Sequence, residues 1–140
     1  MTLIDKFSSF YTDLSSMQIA HLREIYSPQV VFIDPIASHN GLPAVEQYFG
    51  KLLKNAKFCE FDIHSKLKND ESGYTVDWTM RYTSTRINKG KPVSVDGVTI
   101  LQTENGKIIR HRDYYDLGQM VYEHIPIMGG MLRKIKRGLA

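Results

Sequence analysis

The sequence contains a single cysteine, Cys59, among its 140 residues. A lone cysteine excludes an internal disulfide framework and a cysteine-rich metal site. The sequence also lacks any apolar run of the roughly 18 residues that a membrane-spanning helix needs. Its first residues lack the charged start, the apolar stretch and the cleavage site of a signal peptide. We therefore expect a soluble, cytoplasmic protein.

Several motifs for catalysis and ligand binding are missing as well. There is no glycine-rich phosphate loop, no pair of histidines at metal-ligand spacing and no Gly-x-Ser-x-Gly nucleophile motif. The five histidines show no ligand spacing: His21, His39, His64, His111 and His124. We predict that the protein uses no metal and no cofactor.

Charge of either sign is modest, because 18 Lys and Arg residues stand against 15 Asp and Glu residues, a formal net charge of +3. Four of the basic residues lie within the last eight positions: Arg133, Lys134, Lys136 and Arg137. The rest of the chain therefore has 14 basic and 15 acidic residues. Without a basic face, it is not expected to bind nucleic acid.

The hydrophobic pattern predicts three helices and one strand in the first part of the chain. The first helix begins at Thr2 with a weak capping box, and a short second helix ends at Pro28. Residues 30–34 are β-branched and aromatic, as is typical of a strand, and residues 36–41 are expected to form a loop. Pro43 suits the first turn of a third helix.

After residue 57 the apolar period changes from 3.6 to 2, which predicts a meander of four antiparallel strands. The clearest alternation covers residues 74–83, and Asn105-Gly106 is a pair that typically closes a hairpin. Helices followed by strands indicate an α+β fold whose long sheet curves around the three N-terminal helices as a cone. We expect one domain over residues 1–117, with a concave, largely apolar pocket between sheet and helices.

Three aspartates lie where strand alternation is expected to point them into this pocket: Asp34 with Val30 and Phe32, Asp96 with Val98 and Ile100, and Asp113 with Ile109, His111 and Tyr115. A desolvated acid has a raised pKa and can act as a general acid or a neutral hydrogen-bond donor. Each has a structural alternative. Asp34 could cap a turn at Pro35, Asp96 could bind backbone at a bulge before Gly97, and Asp113 could pair with an arginine.

Three segments together resemble the nuclear transport factor 2-like superfamily. They are Phe32-Ile33-Asp34-Pro35, the run Gly-Leu-Pro-Ala-Val-Glu-Gln-Tyr-Phe at residues 41–49, and Gly106-Lys107-Ile108 followed by His111-Arg112-Asp113-Tyr114-Tyr115-Asp116. The resemblance covers about residues 3–117 and is closest to the branch with ketosteroid isomerases, SnoaL-like polyketide cyclases and limonene epoxide hydrolases. It implies the curved-sheet cone and a homodimer that buries the outer face of the sheet.

The ketosteroid isomerases assign roles to two of the aspartates. Asp34 matches the base that moves a proton between carbons, and Asp96 matches the place of a protonated acid that donates to the oxyanion. The third member in that family is a tyrosine on the first helix. The best register places Phe10 there, with Tyr11 one position away, and one residue turns a helical side chain by about 100°.

The other two families both point to Asp113. It matches the water-activating base of limonene epoxide hydrolases, but the Arg-x-Asp that those enzymes need is replaced by Asp77-Trp78-Thr79, with Arg81 beyond it. Epoxide hydrolysis is therefore disfavoured. In SnoaL-like cyclases an acid near the end of the last strand serves in an aldol closure, and Asp113 could do this with His111 nearby.

These observations favour acid–base catalysis, an isomerisation or an aldol-type cyclisation of a carbonyl compound resembling a steroid or polyketide. The predicted catalytic residues are Asp34, Asp96 and Asp113. The predicted substrate-binding residues are Phe10, Tyr11, Trp78, Tyr82, His111 and Tyr115. Two alternatives stay open: a non-catalytic carrier of a small apolar molecule, and a structural partner that acts through its outer sheet and basic tail.

The last residues, 118–140, form an amphipathic basic tail that we expect to pack on or near the cone. Its apolar residues are too many for a solvated arm, and its methionines suit an adaptable lid over the pocket. The alternative is an amphipathic anchor whose basic residues contact anionic lipid. The sequence favours the lid.

Overall fold

A computed structural model of the protein describes residues 1–70, 72–84 and 87–140. Helix α1, Leu3–Thr12, begins with the predicted capping box, in which the Thr2 side chain and the Asp5 carboxylate bind each other's backbone N–H groups. Its buried face consists of Phe7, Phe10 and Tyr11. The first helix and its core face are as predicted.

The second helix is shorter than predicted. A 3₁₀ helix, Ser16–His21, leads into α2, Leu22–Ile25, and the chain then enters strand β1, Tyr26–Ile33. Pro28 therefore lies inside a strand rather than at a helix end. The pairing of β1 shifts register between Tyr26 and Val31, and such irregularities are where a strand tolerates proline.

Six strands form one curved, unclosed sheet in the order β2-β1-β6-β5-β4-β3. After β1 come β2, Ser38–Asn40; helix α3, Leu42–Asn55; β3, Ala56–Asp70; β4, Gly73–Ser84; β5, Val93–Glu104; and β6, Lys107–Tyr115. The loop predicted over residues 36–41 thus contains a short strand. All neighbouring strands are antiparallel except β1 and β6, and α1 and α3 pack on the inner face. The α+β class and curved sheet are confirmed.

The inner face of β5 differs from the prediction by one residue. Val93, Val95, Thr99 and Leu101 are buried, whereas Asp96 and Ile100 are exposed. Both faces of this strand have apolar residues, so alternation alone does not distinguish inside from outside. The prediction that Asp96 points inward was wrong.

The chain after β6 folds into α4, Leu117–Met120, a 3₁₀ helix, Tyr122–His124, and α5, Met128–Leu139. Met120 packs against the core. Helix α5 packs mainly on the 3₁₀ helix. In the described part of the chain, no helix has the length and apolar character needed to cross a membrane.

Candidate functional site

A chain of hydrogen bonds through the interior joins α1, β1 and β6. The Tyr11 and Tyr26 hydroxyls are 2.9 Å apart, and the Tyr26 hydroxyl lies 2.8 Å from His111 Nδ1. His111 is 1% exposed and stacks on the Phe32 ring with the centroids 4.0 Å apart. Its other nitrogen, Nε2, lies 2.7 Å from Asp113 Oδ1. The imidazole is thus fixed on both sides and on one face.

Asp113 also receives a hydrogen bond from the adjacent strand. The Thr99 hydroxyl donates to Asp113 Oδ1 over 2.6 Å, and the Trp78 indole N–H donates to the Thr99 oxygen over 2.8 Å. One carboxylate oxygen therefore accepts from both His111 and Thr99. The second oxygen, Oδ2, is the one that these two groups leave for a ligand. The side chain of Asp113 is 15% exposed.

The directions of these bonds are consistent with one buried negative charge. A carboxylate only accepts hydrogen bonds, so with Asp113 ionised His111 Nε2 holds the hydrogen and donates it. Nδ1 of a neutral imidazole then accepts from the Tyr26 hydroxyl, which in turn accepts from Tyr11. In this arrangement each hydrogen of the series from Tyr11 through Tyr26 and His111 to Asp113 has an acceptor, as buried polar networks require.

Burial keeps the surrounding phenols protonated. It raises the pKa of Tyr11 and of Tyr26, with the neighbouring tyrosine and Asp113 adding to the effect at Tyr11. Burial also raises the pKa of Tyr48 and Tyr115, and the charges of Asp34 and Asp113 raise both further. Neutral phenols surrounding a carboxylate are donors of hydrogen bonds to a developing oxyanion.

Asp113 lies between two small interior cavities. The larger, of about 30 Å³, has a mostly aromatic lining that includes Tyr11, Tyr48, Trp78, Tyr115 and Met120. The smaller, of about 10 Å³, lies against Phe7, Ile63 and Thr99 and shares Asp113 with the first. The larger one has room for about two water molecules, so a ring compound needs side chains to move. Depressions on the surface are larger, but the buried ionisable groups converge in the interior.

Asp34 is buried, at 6% exposure, on the same inner face as Val30 and Phe32. Its Oδ1 accepts the backbone N–H groups of Ile36 and Ala37 over 2.8 and 2.9 Å, so it caps the turn after β1. Its Oδ2 is buried without a hydrogen-bond partner among the described residues. Asp34 is not among the residues lining either cavity. Asp34 therefore caps the turn at Pro35, which is the structural alternative given above, and its Oδ2 remains buried without a partner among the described residues.

Asp96 and Arg81 lie on the outer face of the sheet. Asp96 Oδ1 accepts from the Thr79 hydroxyl over 2.6 Å, and Arg81 forms ion pairs with Glu60 and Asp62 at 2.8 and 2.7 Å. An exposed Asp96 is not in a position to donate to an oxyanion in the interior, which corrects the role expected from the isomerase resemblance. Arg81 is the arginine closest in sequence to the position of the epoxide hydrolase Arg-x-Asp motif. Because it lies on the outer face, it does not supply an arginine to the interior.

The predicted substrate-binding residues divide into two groups. Tyr11, Trp78 and Tyr115 line the larger cavity, and His111 lies behind Asp113. Phe10 is buried against Phe49 and does not line that cavity. The Tyr82 hydroxyl donates to the Met120 carbonyl over 2.6 Å, so Tyr82 holds α4 rather than facing the cavity.

Sequence reasoning misses Tyr26, Thr99 and Tyr48 as parts of the site. The pattern assigns Tyr26 to the end of a helix and Thr99 to the outer face of β5. An alternation that starts at Val93 would place Thr99 inside, together with Val95 and Leu101. Tyr48 belongs to the apolar stripe of α3, so the pattern predicts a core residue rather than part of a site.

A family model described as the SnoaL-like domain matches residues 7–111, most of the chain. The chain belongs to this family. The match confirms the resemblance to the nuclear transport factor 2-like superfamily, and it includes the site up to His111. No curated protein matches the sequence significantly.

Solved structures place this SnoaL-like domain among proteins of the same fold. A protein of ketosteroid isomerase-like fold from Catenulispora acidiphila, in complex with trimethylamine, has 16% identity and a TM-score of 0.73, covering 89% of this chain and 93% of its own. A protein from a Jannaschia species, described as a SnoaL-like polyketide cyclase, has 15% identity and a TM-score of 0.69, covering 82% of this chain and 85% of its own. An epoxide hydrolase of Mycobacterium tuberculosis, similar to limonene epoxide hydrolase, has 15% identity and a TM-score of 0.69, covering 84% and 85%. At these identities the similarity establishes the fold alone.

The SnoaL-like domain has no cluster of three His, Cys, Asp or Glu side chains arranged to hold a metal ion within the described residues. That the protein uses no metal and no cofactor stays a prediction from the sequence.

Cys59 should react slowly with alkylating agents. Burial raises the pKa of its thiol to about 12, so at pH 8 its reactive thiolate is on the order of a thousandfold scarcer than in an exposed cysteine. Iodoacetamide labelling followed by mass spectrometry should show a rate that rises about tenfold per pH unit. The same protein in urea is the control and should label at the ordinary rate. Rapid labelling of the folded protein at pH 8 would contradict this.

Proposed function

We propose that this domain catalyses proton abstraction next to the carbonyl group of a small apolar compound, with Asp113 as the base. The observation that supports this most is one side chain: a partly buried carboxylate, held at one oxygen by His111 and Thr99, that faces an aromatic cavity. Such a group is both oriented and partly desolvated, as a general base must be.

The proposed step moves one proton and one electron pair. Asp113 Oδ2 takes the proton from the carbon next to the carbonyl, and the C–H electron pair forms a C=C bond while the carbonyl oxygen becomes an enolate. Neutral phenols of Tyr48 or Tyr115, which line the cavity, stabilise that oxygen by donating hydrogen bonds. Where a second C=C bond is conjugated with the enolate, return of the proton to the far carbon shifts that double bond and gives isomerisation. Attack of the enolate carbon on a second carbonyl carbon gives aldol cyclisation, with Asp113 protonating the resulting alkoxide.

His111 is a positioning residue in this proposal. Its neutral ring links Tyr26 to Asp113 and sets the direction of the carboxylate without contacting the substrate. The second carboxylate, Asp34, remains a candidate for the acid–base role that the isomerase resemblance implies. Its Oδ2 is buried without a hydrogen-bond partner among the described residues, and its charge raises the pKa of Tyr48 and Tyr115, which line the cavity.

The cavity must widen for such a substrate, and α4 is the element that we expect to move. Met120 of this four-residue helix lines the cavity, and one hydrogen bond from Tyr82 attaches its carbonyl to β4. The unbranched thioether of Met120 can repack around ligands of different shape. The sequence predicts a lid over residues 118–140, and we propose that α4, at the start of this tail, is the part that opens.

Deuterium exchange tests the reaction without knowledge of the natural substrate. The probe is 2-tetralone, an apolar bicyclic ketone, incubated with the protein in D₂O and followed by proton NMR. We expect the protein to speed the loss of signal from the hydrogens next to the carbonyl. The exposed-acid variant Asp96→Asn is the control and should exchange as fast as the wild type. Binding of the ketone without any acceleration would contradict catalysis.

A non-catalytic carrier is the second candidate, because the cavity lining is mostly aromatic. Saturation-transfer NMR with 2-tetralone measures binding separately from exchange. A carrier should show saturation transfer with exchange at the buffer rate. In that case Asp113→Asn should leave binding nearly unchanged, because no proton leaves the ligand.

We also propose that the domain is a homodimer joined through the outer face of the sheet, in the cytoplasm. The predicted row on that face consists of Thr75, Asp77, Thr79, Arg81, Thr83, Arg110, Arg112 and Tyr114. Apolar Ile100 and Tyr114 are exposed there, and the Arg112 guanidinium lies 4.9 Å from the centre of the Tyr114 ring. Exposed apolar side chains surrounded by ordered polar groups are typical of a protein interface with an apolar centre and a polar rim.

Light scattering during gel filtration should give twice the chain mass at micromolar concentration. The double variant Ile100→Glu with Tyr114→Glu should be a monomer, because it places like charges at the centre of the proposed interface. The matched control is Met17→Glu, at an exposed apolar residue outside the sheet. A wild-type monomer would contradict the dimer.

A further inference from the structure

Helix α5 has an apolar stripe that faces solvent. Met131, Ile135 and Leu139 are 60%, 56% and 83% exposed, and Met128 is exposed beside them. At 100° per residue, these side chains and Leu132 fall within an arc of about 100°. A stripe of this width is what a helix normally buries, and here no apolar partner covers it among the described residues.

An adjacent side of α5, about 120° around the helix from the centre of the stripe, is the one attached to the domain. Gly129 lies so close to the Glu123 carbonyl that a Cβ would overlap it, and the Arg133 guanidinium donates to that carbonyl over 2.8 Å. Lys136 Nζ forms ion pairs with Asp116 and Glu123 at 3.0 Å each. These contacts fix the helix with its apolar stripe turned away from the core.

Basic residues flank the stripe on both sides. From the helical geometry, Lys134 lies next to Met131 and Lys136 lies next to Leu132, whereas Arg137 lies on the side of the helix away from the stripe. Lys134 and Arg137 form no ion pair with the described residues, and Met128–Leu139 contains no acidic residue. Long basic side chains beside an apolar face can extend toward phosphate groups while their stems lie along the acyl chains.

We infer that α5 lies in the surface of an anionic lipid bilayer, with its apolar stripe in the acyl region and the positive charges of Lys134 and Arg137 at the headgroups. The charges favour this partner over a second copy of the chain, because two α5 helices would bring only positive charges together. Nucleic acid would pair with the basic residues of α5 but would leave its apolar stripe exposed to water, so it explains only half of the surface. A 12-residue helix with three glycines is also marginal on its own, and an interface would stabilise it.

Vesicle sedimentation tests this inference on the intact protein. We expect binding to phosphatidylcholine vesicles containing about a third phosphatidylglycerol, little binding to pure phosphatidylcholine, and weaker binding as salt rises. Ile135→Glu should weaken the binding at least tenfold, because a charge enters the apolar face. Leu67→Glu, at an exposed apolar residue of β3, is the matched control and should bind like the wild type.

The charge arm uses the double variant Lys134→Gln with Arg137→Gln. Two basic residues near the surface correspond to about thirtyfold in affinity. Lys51→Gln with Lys91→Gln, at exposed lysines elsewhere, is its control and should change little. The inference is overturned if the wild type ignores anionic vesicles, or if Ile135→Glu binds them as well as Leu67→Glu. It is also overturned if light scattering shows that Ile135→Glu only breaks an oligomer.

Discussion

Replacing Asp113 with Asn should lower the rate of deuterium exchange at 2-tetralone by about 10²–10⁴-fold. The amide has nearly the shape of the carboxylate and can still accept from Thr99 and His111 through its oxygen. It cannot take up the proton from carbon. The loss should therefore appear in kcat, with KM changing much less, because the cavity keeps its shape. Initial rates at several ketone concentrations measure both.

Asp34→Asn is the matched comparison, because Asp34 is also an inward carboxylate with limited exposure. Its amide oxygen can keep capping the backbone of Ile36 and Ala37, so the turn should persist. If Asp113 is the base, Asp34→Asn should retain far more of the exchange rate than Asp113→Asn. The reverse order would give the base role to Asp34, as the isomerase resemblance implies. Equal rates in wild type and both variants would contradict acid–base catalysis in this interior.

The fold was predictable where only one face of an element is apolar. In β4 the apolar residues Val76, Trp78 and Met80 are buried and the polar residues between them are more exposed, so the alternation indicates the right face. In β5 apolar residues occur on both faces, with Val95 inside and Ile100 outside. The choice there depends on pairing with β4 and β6, which the local sequence does not contain. Asp96 was misplaced for this reason.

The site was predictable to the extent that it lies on one strand. His111, Asp113 and Tyr115 are spaced two apart on β6 and share a face, as predicted. Their partners come from far along the chain. Tyr26 reaches His111 across 85 positions and Thr99 reaches Asp113 across 14. Such contacts follow from strand order and register, which a single sequence does not contain. The sequence therefore indicates Asp113 but not the groups from other strands that orient it.

Replacing Gly97 with Ala should lower the free energy of unfolding by about 2–4 kcal/mol. Gly97 pairs with Trp78 across β4 and β5, and the indole ring occupies the space above it. A Cβ there would lie within 3.0 Å of three ring carbons, so the ring must move in a close-packed core. Moving it breaks the indole bond to Thr99 and loosens the support of Asp113. Urea unfolding measures the first effect, and deuterium exchange should fall with it.

Gly50→Ala is the matched control for this prediction, and it should change stability in the opposite direction. Gly50 lies in α3, and a Cβ added to it would have no neighbouring atom within 4 Å, so alanine meets no clash there. Alanine also favours the helix over glycine by up to about 1 kcal/mol. The two substitutions add the same methyl group, so a loss of stability at Gly97 but not at Gly50 indicates the clash with the Trp78 ring. If Gly97→Ala unfolds at the wild-type urea concentration, the indole is not packed over Gly97, and the proposed support of Asp113 through Trp78 and Thr99 fails with it.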